Sequence, residues 1–180
     1  MKKVFLYLSA FIPLYCLIII KILIEIVNNN LTFNVLNSFS LCLLLLLILL
    51  GILGLILENR NNNQVIKIRI IQKNCITQQH FLGYFSLFVL FALTFELEKI
   101  SMFVIFLLIL FLIGIVYTKN DLFYINPFLN ILGYNFYDIK YVDMNGKIKT
   151  DKFYFKGKLE NKDYIVKMGD INFNYIFRDN

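Results

Sequence analysis

Ten consecutive residues, Leu41 to Leu50, carry no side chain that hydrogen-bonds strongly, and the run sits inside a longer apolar stretch from Ser38 to Leu57. A helix through it spans about 30 Å at 1.5 Å per residue, the thickness of a bilayer's hydrocarbon core. Three further stretches have the same character: Val4 to Val27, with Lys21 snorkelling near its end, Phe81 to Leu97, and Ile100 to Thr118. The chain is 59% hydrophobic and 17% charged, against about 45–50% and 25% in soluble domains. A soluble enzyme, a disordered tail and a basic nucleic-acid-binding domain are therefore poor descriptions of it.

These stretches predict four transmembrane α-helices, over residues 4–27, 38–57, 81–97 and 100–118, in a membrane domain covering residues 1–118. Lys2 and Lys3 resemble the start of a signal peptide, but the first apolar run is long and no A-x-A site precedes Lys21. It is read as a retained helix, kinked by Pro13. Lys and Arg flanking the spans set the orientation. The 28–37 connection is uncharged, whereas the 58–80 loop carries Arg60, Lys67, Arg69 and Lys73, and ten of the 18 basic residues lie at or beyond Lys119. With both termini cytoplasmic, every loop agrees. A multi-pass membrane protein with both ends inside is the expectation, the lipid bilayer being the first partner. The absence of Trp beside 19 Phe and 11 Tyr fits the coding bias of an AT-rich bacterial genome. Asn30-Leu31-Thr32 fits the glycosylation pattern, which in a chain this rich in Asn arises by chance.

Two cytoplasmic segments have their own periodicity. In the 58–80 loop, Ile66, Ile68 and Ile70 alternate with Lys67 and Arg69, the period of a half-buried strand over residues 65–71 that pairs with the tail. The tail, residues 119–180, opens with aromatic residues suited to the headgroup level: Tyr117 just before it, then Phe123, Tyr124 and Tyr134. Asn126, Pro127 and Gly133 have the chemistry of an N-cap, a first helical residue and a C-terminal stop, and predict a short helix over 126–133. Beyond Tyr134 the period becomes two. Asn145-Gly146 predicts a type I′ hairpin turn, with a return strand from Lys147 to Phe155. Asp163 to Met168 and Ile171 to Phe177, joined at Gly169-Asp170, supply two more strands. The result is a small C-terminal cytoplasmic β-domain, marginal alone at this size.

Chemistry is not written into the chain. Cys16, Cys42 and Cys75 form no CxxC pair, and one His cannot complete a zinc site that needs about four ligands; no metal and no cofactor are expected. There is no P-loop, HExxH or nucleotide fingerprint, so the chain is expected not to be an enzyme. His80 at the start of the third span suits an interface anchor better than a catalyst. Lys21 and Glu25, four apart, form a pair near the outer end of the first span. Gly51 and Gly54, Gly83 and Ser86, and Gly114 are small residues that let helices approach closely. Packing inside the bundle uses them, and homo-oligomerisation is the other use such faces have. Lys67, Arg69, Lys147, Lys149 and Lys152 are candidate contacts for a cytoplasmic protein or for lipid. The tail's net charge of +2 is too small for a nucleic-acid footprint.

The stretch from Asn126 to Tyr137, NPFLNILGYNFY, is similar to an NP-x-L-x-x-x-GY-x-x-Y segment of the KwaA family, the membrane subunits of Kiwa antiphage systems. Four spans, both ends inside, a basic inner loop and a small β tail extend the likeness to the architecture of the whole chain. The resemblance implies an oligomeric inner-membrane sensor of phage infection that holds a cytoplasmic effector, KwaB, acting against phage DNA. Asn126, Pro127, Gly133, Tyr134 and Tyr137 would then be a structural joint. A small channel or transporter subunit and a bacteriocin immunity protein are the other readings open to such a chain.

Overall fold

The computed structural model describes residues 2–28, 35–61, 64–96, 99–120, 122, 125–160, 163–168 and 174–177. Five helices form its apolar body: α1 (Lys2–Ala10), α2 (Ile12–Val27), α3 (Val35–Asn61), α4 (Thr77–Thr94) and α5 (Ile100–Lys119). Of these, α3 and α5 are each long and apolar enough to cross a membrane, and the bent pair α1–α2 is a third if it counts as one span. In α4 the apolar part is shorter, Phe85–Thr94.

The first apolar stretch is not one kinked helix. It breaks at Phe11 into two helices inclined at 50°. Pro13 falls in the first turn of α2, where its missing N–H is no loss. In a continuous helix its ring would clash with the Ser9 carbonyl. Phe11 N–H turns back to Leu8 O instead, at 3.2 Å, and Tyr15 N–H restarts the ladder on Phe11 O at 3.1 Å.

Helix α1 runs antiparallel to α3, so that Gly51 meets Leu8 and Ser9 while Gly54 meets Phe5. The buried core of the body includes Tyr7, Phe11, Tyr15, Leu44, Phe88 and Phe106. Outward faces carry Leu45, Leu49 and Leu53 on α3, and Leu108, Phe111 and Leu112 on α5, all exposed. Lys21 lies across the end of α4: its Nζ donates to Leu93 O and Phe95 O, both at 3.1 Å, with Glu25 at 4.0 Å. The lysine thus caps the C-terminal carbonyls of α4, where a cation is favoured. Lys21→Met keeps the stem and removes the cap, and is expected to lower stability in detergent by about 1 kcal/mol. A thermal melt of the solubilised chain measures it.

Among the described residues, five strands form a closed barrel in the order β1-β2-β3-β5-β4. Its strands are β1 (Gln64–Cys75), β2 (Tyr134–Val142), β3 (Ile148–Lys156), β4 (Asp163–Met168) and β5 (Asn174–Phe177). The strand expected at 65–71 is longer, and a bulge between Ile70 and Gln72 bends it, so its first half pairs with β4 and its second with β2. The sequence β4-β1-β2-β3 in space is that of a Greek key. A parallel pairing of β5 with β3 at Phe153 and Tyr154 closes the circle. Ile68, Ile70, Ile139, Tyr141, Phe153 and Val166 fill the interior.

The β2–β3 turn differs from the one expected. Gly146 N–H bonds Asp143 O at 3.0 Å and Asp143 N–H bonds Lys147 O at 3.0 Å, so the loop holds one residue more than a two-residue Asn-Gly turn. Gly146, at φ +73°, takes the left-handed position that such a longer loop requires. The expected junction at Gly169-Asp170, the first residues of the strand placed at Ile171, and Asn30-Leu31-Thr32 lie outside the described residues.

Candidate functional site at the junction of helices and barrel

Between α5 and β2 stands the short helix α6 (Pro127–Ile131). Asn126 caps it, its Oδ1 accepting Leu129 N–H at 3.2 Å. The Nδ2 of the same side chain donates to Ser9 Oγ at 2.8 Å, and the Ser9 hydroxyl donates to Leu6 O at 2.7 Å. Both residues are buried. One asparagine therefore ties α6 to α1 at the place where α1 touches α3. Pro127 is buried in the first turn of α6, and Tyr117 Oη donates to Ile125 O at 2.6 Å just ahead of it.

The other side of the junction is a clamp on Phe136. Its N–H donates to Thr77 Oγ1 at 2.6 Å, and its carbonyl accepts Ile76 N–H at 2.9 Å. The start of α4 is thus fastened to β2. Alternation along β2 sends Tyr137, Ile139 and Tyr141 into the barrel and leaves Phe136 on the outside, with Tyr154 opposite it on β3. Their rings lie 4.9 Å apart. Phe136, Tyr154 and Leu129 belong to the same buried cluster as Phe11, Leu14 and Tyr117 of the helices. Burial pushes the Tyr154 hydroxyl far above its usual range, so it stays protonated.

Gly133 (φ +85°) and Gly157 (φ +97°) meet where the β3–β4 connection crosses the end of α6, with Gly157 N–H reaching Gly133 O at 3.4 Å. Asn135 Nδ2 and Tyr137 Oη both donate to Gly157 O, at 2.9 and 3.2 Å. Lys156 Nζ sits 5.9 Å from the centre of the Tyr134 ring. The five residues from the NP…GY segment therefore occupy one region, but in different roles: Asn126 and Pro127 face the helices, Gly133 and Tyr134 the crossing, and Tyr137 the barrel interior. Ser9, Thr77, Phe136 and Tyr154 share that region without having been singled out from the sequence. Ser9 and Thr77 sit beside apolar runs with no pattern around them, and Phe136 reads as an ordinary strand residue.

The basic residues are spread more widely. Lys67 and Arg69 line an open groove of about 480 Å³ with Val142, Asp143, Met144 and Asp163, at the end of the barrel away from Phe136. Arg69 Nε pairs with Asp163 Oδ1 at 3.0 Å, and Lys149 Nζ with Asp143 Oδ2 at 3.0 Å. Lys147 lies in the hairpin loop, while Lys152 is half-buried on β3, opposite Asp138 in register. Lys149, together with the Lys147 and Asn145 N–H groups on Oδ1, holds the Asp143 carboxyl below its ordinary value, and Arg69 does the same for Asp163. A carboxyl whose folded value is depressed stabilises above its unfolded value, and that stabilisation disappears as pH falls through the folded one. The barrel is accordingly expected to loosen as pH drops from about 4 downward. Asp143→Asn should flatten that acid limb in a far-ultraviolet circular dichroism titration.

Of the small residues, Gly51 and Gly54 lie against the backbone of α1, and Gly114 against the Tyr7 ring, whose hydroxyl donates to Leu110 O at 2.5 Å. Among the described residues, no atom lies near the place of a Gly83 Cβ, and Ser86 is exposed, its hydroxyl donating to Gly83 O within its own helix. The His80 side chain lies outside the described residues. Among the described residues, no group of three or more His, Cys, Asp or Glu side chains is placed to hold a metal ion.

A family model described as anti-phage protein KwaA matches residues 2–178. Among curated proteins and among solved structures, nothing matches the chain.

Proposed function

We propose, from the premise that this chain belongs to the KwaA family of anti-phage proteins, that it is a non-enzymatic sensor and scaffold subunit of the bacterial inner membrane. Its barrel holds a cytoplasmic effector. The observation that carries this reading is the shared core: Phe136 and Tyr154 of the barrel are buried in one cluster with the helices. A change in helix packing therefore reaches the barrel without passing through a flexible linker.

Connectivity supports four crossings. Thr77 is bonded to β2, so α4 starts at the barrel, and α5 returns to the barrel at Lys119. The helix α5 is about 30 Å long, so if α5 crosses the bilayer, α4 must carry the chain across to its far end. By the same logic α1, antiparallel to α3, starts on the barrel side. The excess of Lys and Arg on that side supports placing the barrel and both termini in the cytoplasm.

The groove at Lys67 and Arg69 is the best-placed docking surface, because it faces away from the helices and exposes Met144 beside mixed charges. The test is co-purification of a co-expressed KwaB-type effector with the full chain from detergent. Lys67→Glu with Arg69→Glu is expected to lose the effector while leaving the bait monodisperse. Equal recovery by both baits rules out this surface, and no recovery by the wild-type bait rules out the scaffold reading.

A further inference from the structure

The end of α6 leaves two large apolar side chains uncovered, Ile131 at 53% and Leu132 at 47% exposure. The start of the same helix is placed by its N-cap, Asn126. That residue is bonded to Ser9, seven residues along α1 from Lys2 and so about 10 Å in from the end of the helix. Pro127 and Leu129 of α6 are buried, and Leu129 belongs to the core of the helices. Ile131 and Leu132, at its C-terminal end, are exposed, so that end of α6 projects from the helices near the level where they leave the hydrocarbon. Directly after it stand Gly133 and Tyr134, with Lys156 over the Tyr134 ring and Gly157 bonded to Gly133. Lys156 and Lys158 are both exposed, and Glu160 is the one carboxylate in the Phe155–Glu160 segment.

We propose that Ile131, Leu132, Tyr134, Lys156 and Lys158 form a binding site for anionic phospholipid in the leaflet beside the barrel. The two aliphatic side chains enter the upper acyl region, and Tyr134 sits at the glycerol level, where aromatic rings with polar tips collect. Lys156, held against that ring, and Lys158 meet the lipid phosphates. The apolar pair is what favours lipid over a soluble acidic protein, since it would otherwise lie in headgroup water. The Gly133–Gly157 contact gives the site its shape by bringing two segments 24 positions apart in sequence to one spot. The inference rests on the membrane placement proposed above, and incorporation of the chain into nanodiscs tests that placement separately.

The experiment is native mass spectrometry of the full chain released from nanodiscs of equal phosphatidylglycerol and phosphatidylcholine. Two lysines at a charged surface favour the anionic lipid by roughly 30-fold, and the wild-type chain is expected to retain it in that proportion. Lys156→Gln with Lys158→Gln should bring retention near parity, while Lys147→Gln in the distant hairpin should leave it unchanged. Ile131→Ser with Leu132→Ser should lose retained lipid of both kinds. Equal preference in the wild type and the double lysine variant, or retention indifferent to headgroup, overturns the site. Should the variants fail to fold, amide exchange over Asn130–Gly133 in the wild type decides: slower in phosphatidylglycerol than in phosphatidylcholine supports the site, and equal rates overturn it.

Discussion

Gly54→Ala is expected to be among the most damaging single-methyl additions the helices can receive. A Cβ at this position would stand 2.6 Å from Phe5 Cβ and 2.8 and 2.9 Å from the Phe5 backbone carbonyl. Backbone cannot rotate aside, so α1 must move off α3. Overpacking of this kind costs about 1–3 kcal/mol, and the displacement also disturbs Ser9, one turn along α1. Gly51→Ala meets Ser9 and Leu8 backbone at 3.0 to 3.1 Å and should be milder. Gly114→Ala meets the Tyr7 ring at 3.0 Å, a ring fixed by its bond to Leu110 O. Gly83→Ala meets nothing among the described residues and should gain the roughly 1 kcal/mol by which alanine exceeds glycine in a helix. Thermal unfolding in one detergent, or in one lipid, would rank the four. A loss at Gly83 as large as that at Gly54 would mean that another chain covers α4 in the membrane.

That ranking separates what sequence can and cannot report. Four glycines on apolar helices look alike on paper, because spacing states which residues share a face but not which face is covered. The alternation of Ile66, Ile68 and Ile70 did locate a strand, since only burial on one side produces that period. The β2–β3 hairpin was legible for the same reason, though its loop is a residue longer than Asn-Gly alone implied. The parallel closure of β3 on β5 was not legible: a two-residue pairing at Phe153 and Tyr154 leaves no pattern in either strand. Nor was the break at Phe11, because Pro13 announces a disturbance without saying whether the helix bends or ends. At the junction, the Asn-Pro and Gly signals marked α6 correctly as a short capped helix. Ser9, bonded to Asn126 across 117 positions, and Thr77, bonded to Phe136 across 59, carry no local signature, so only the fold brings them together.

Asn126 makes the first of those distant contacts and also caps α6, so its variants separate two functions of one side chain. Asn126→Ala leaves the buried Leu129 N–H without its acceptor and takes the donor from Ser9 Oγ. Loss of the cap, which leaves Leu129 N–H unpaired, is worth about 1 kcal/mol, and the lost hydrogen bond to Ser9 adds about 1 kcal/mol. A total of roughly 2 kcal/mol is expected. Asn126→Ser retains an oxygen able to cap α6 but is too short to reach Ser9, so it should recover the cap and about half the loss. Ser9→Ala should cost less than Asn126→Ala, because the cap on Leu129 survives, and the two substitutions together should cost less than their sum. Stability alone would not distinguish a cap from a coupling element. Amide exchange does: Asn126→Ser should protect α6 yet speed exchange at the start of β2, where Thr77 and Phe136 hold the barrel to α4. If exchange in β2 follows α6 in every variant, Asn126 is a cap and nothing more. If β2 loosens while α6 stays protected, the Asn126–Ser9 bond is a mechanical link by which the position of α1 is felt in the barrel.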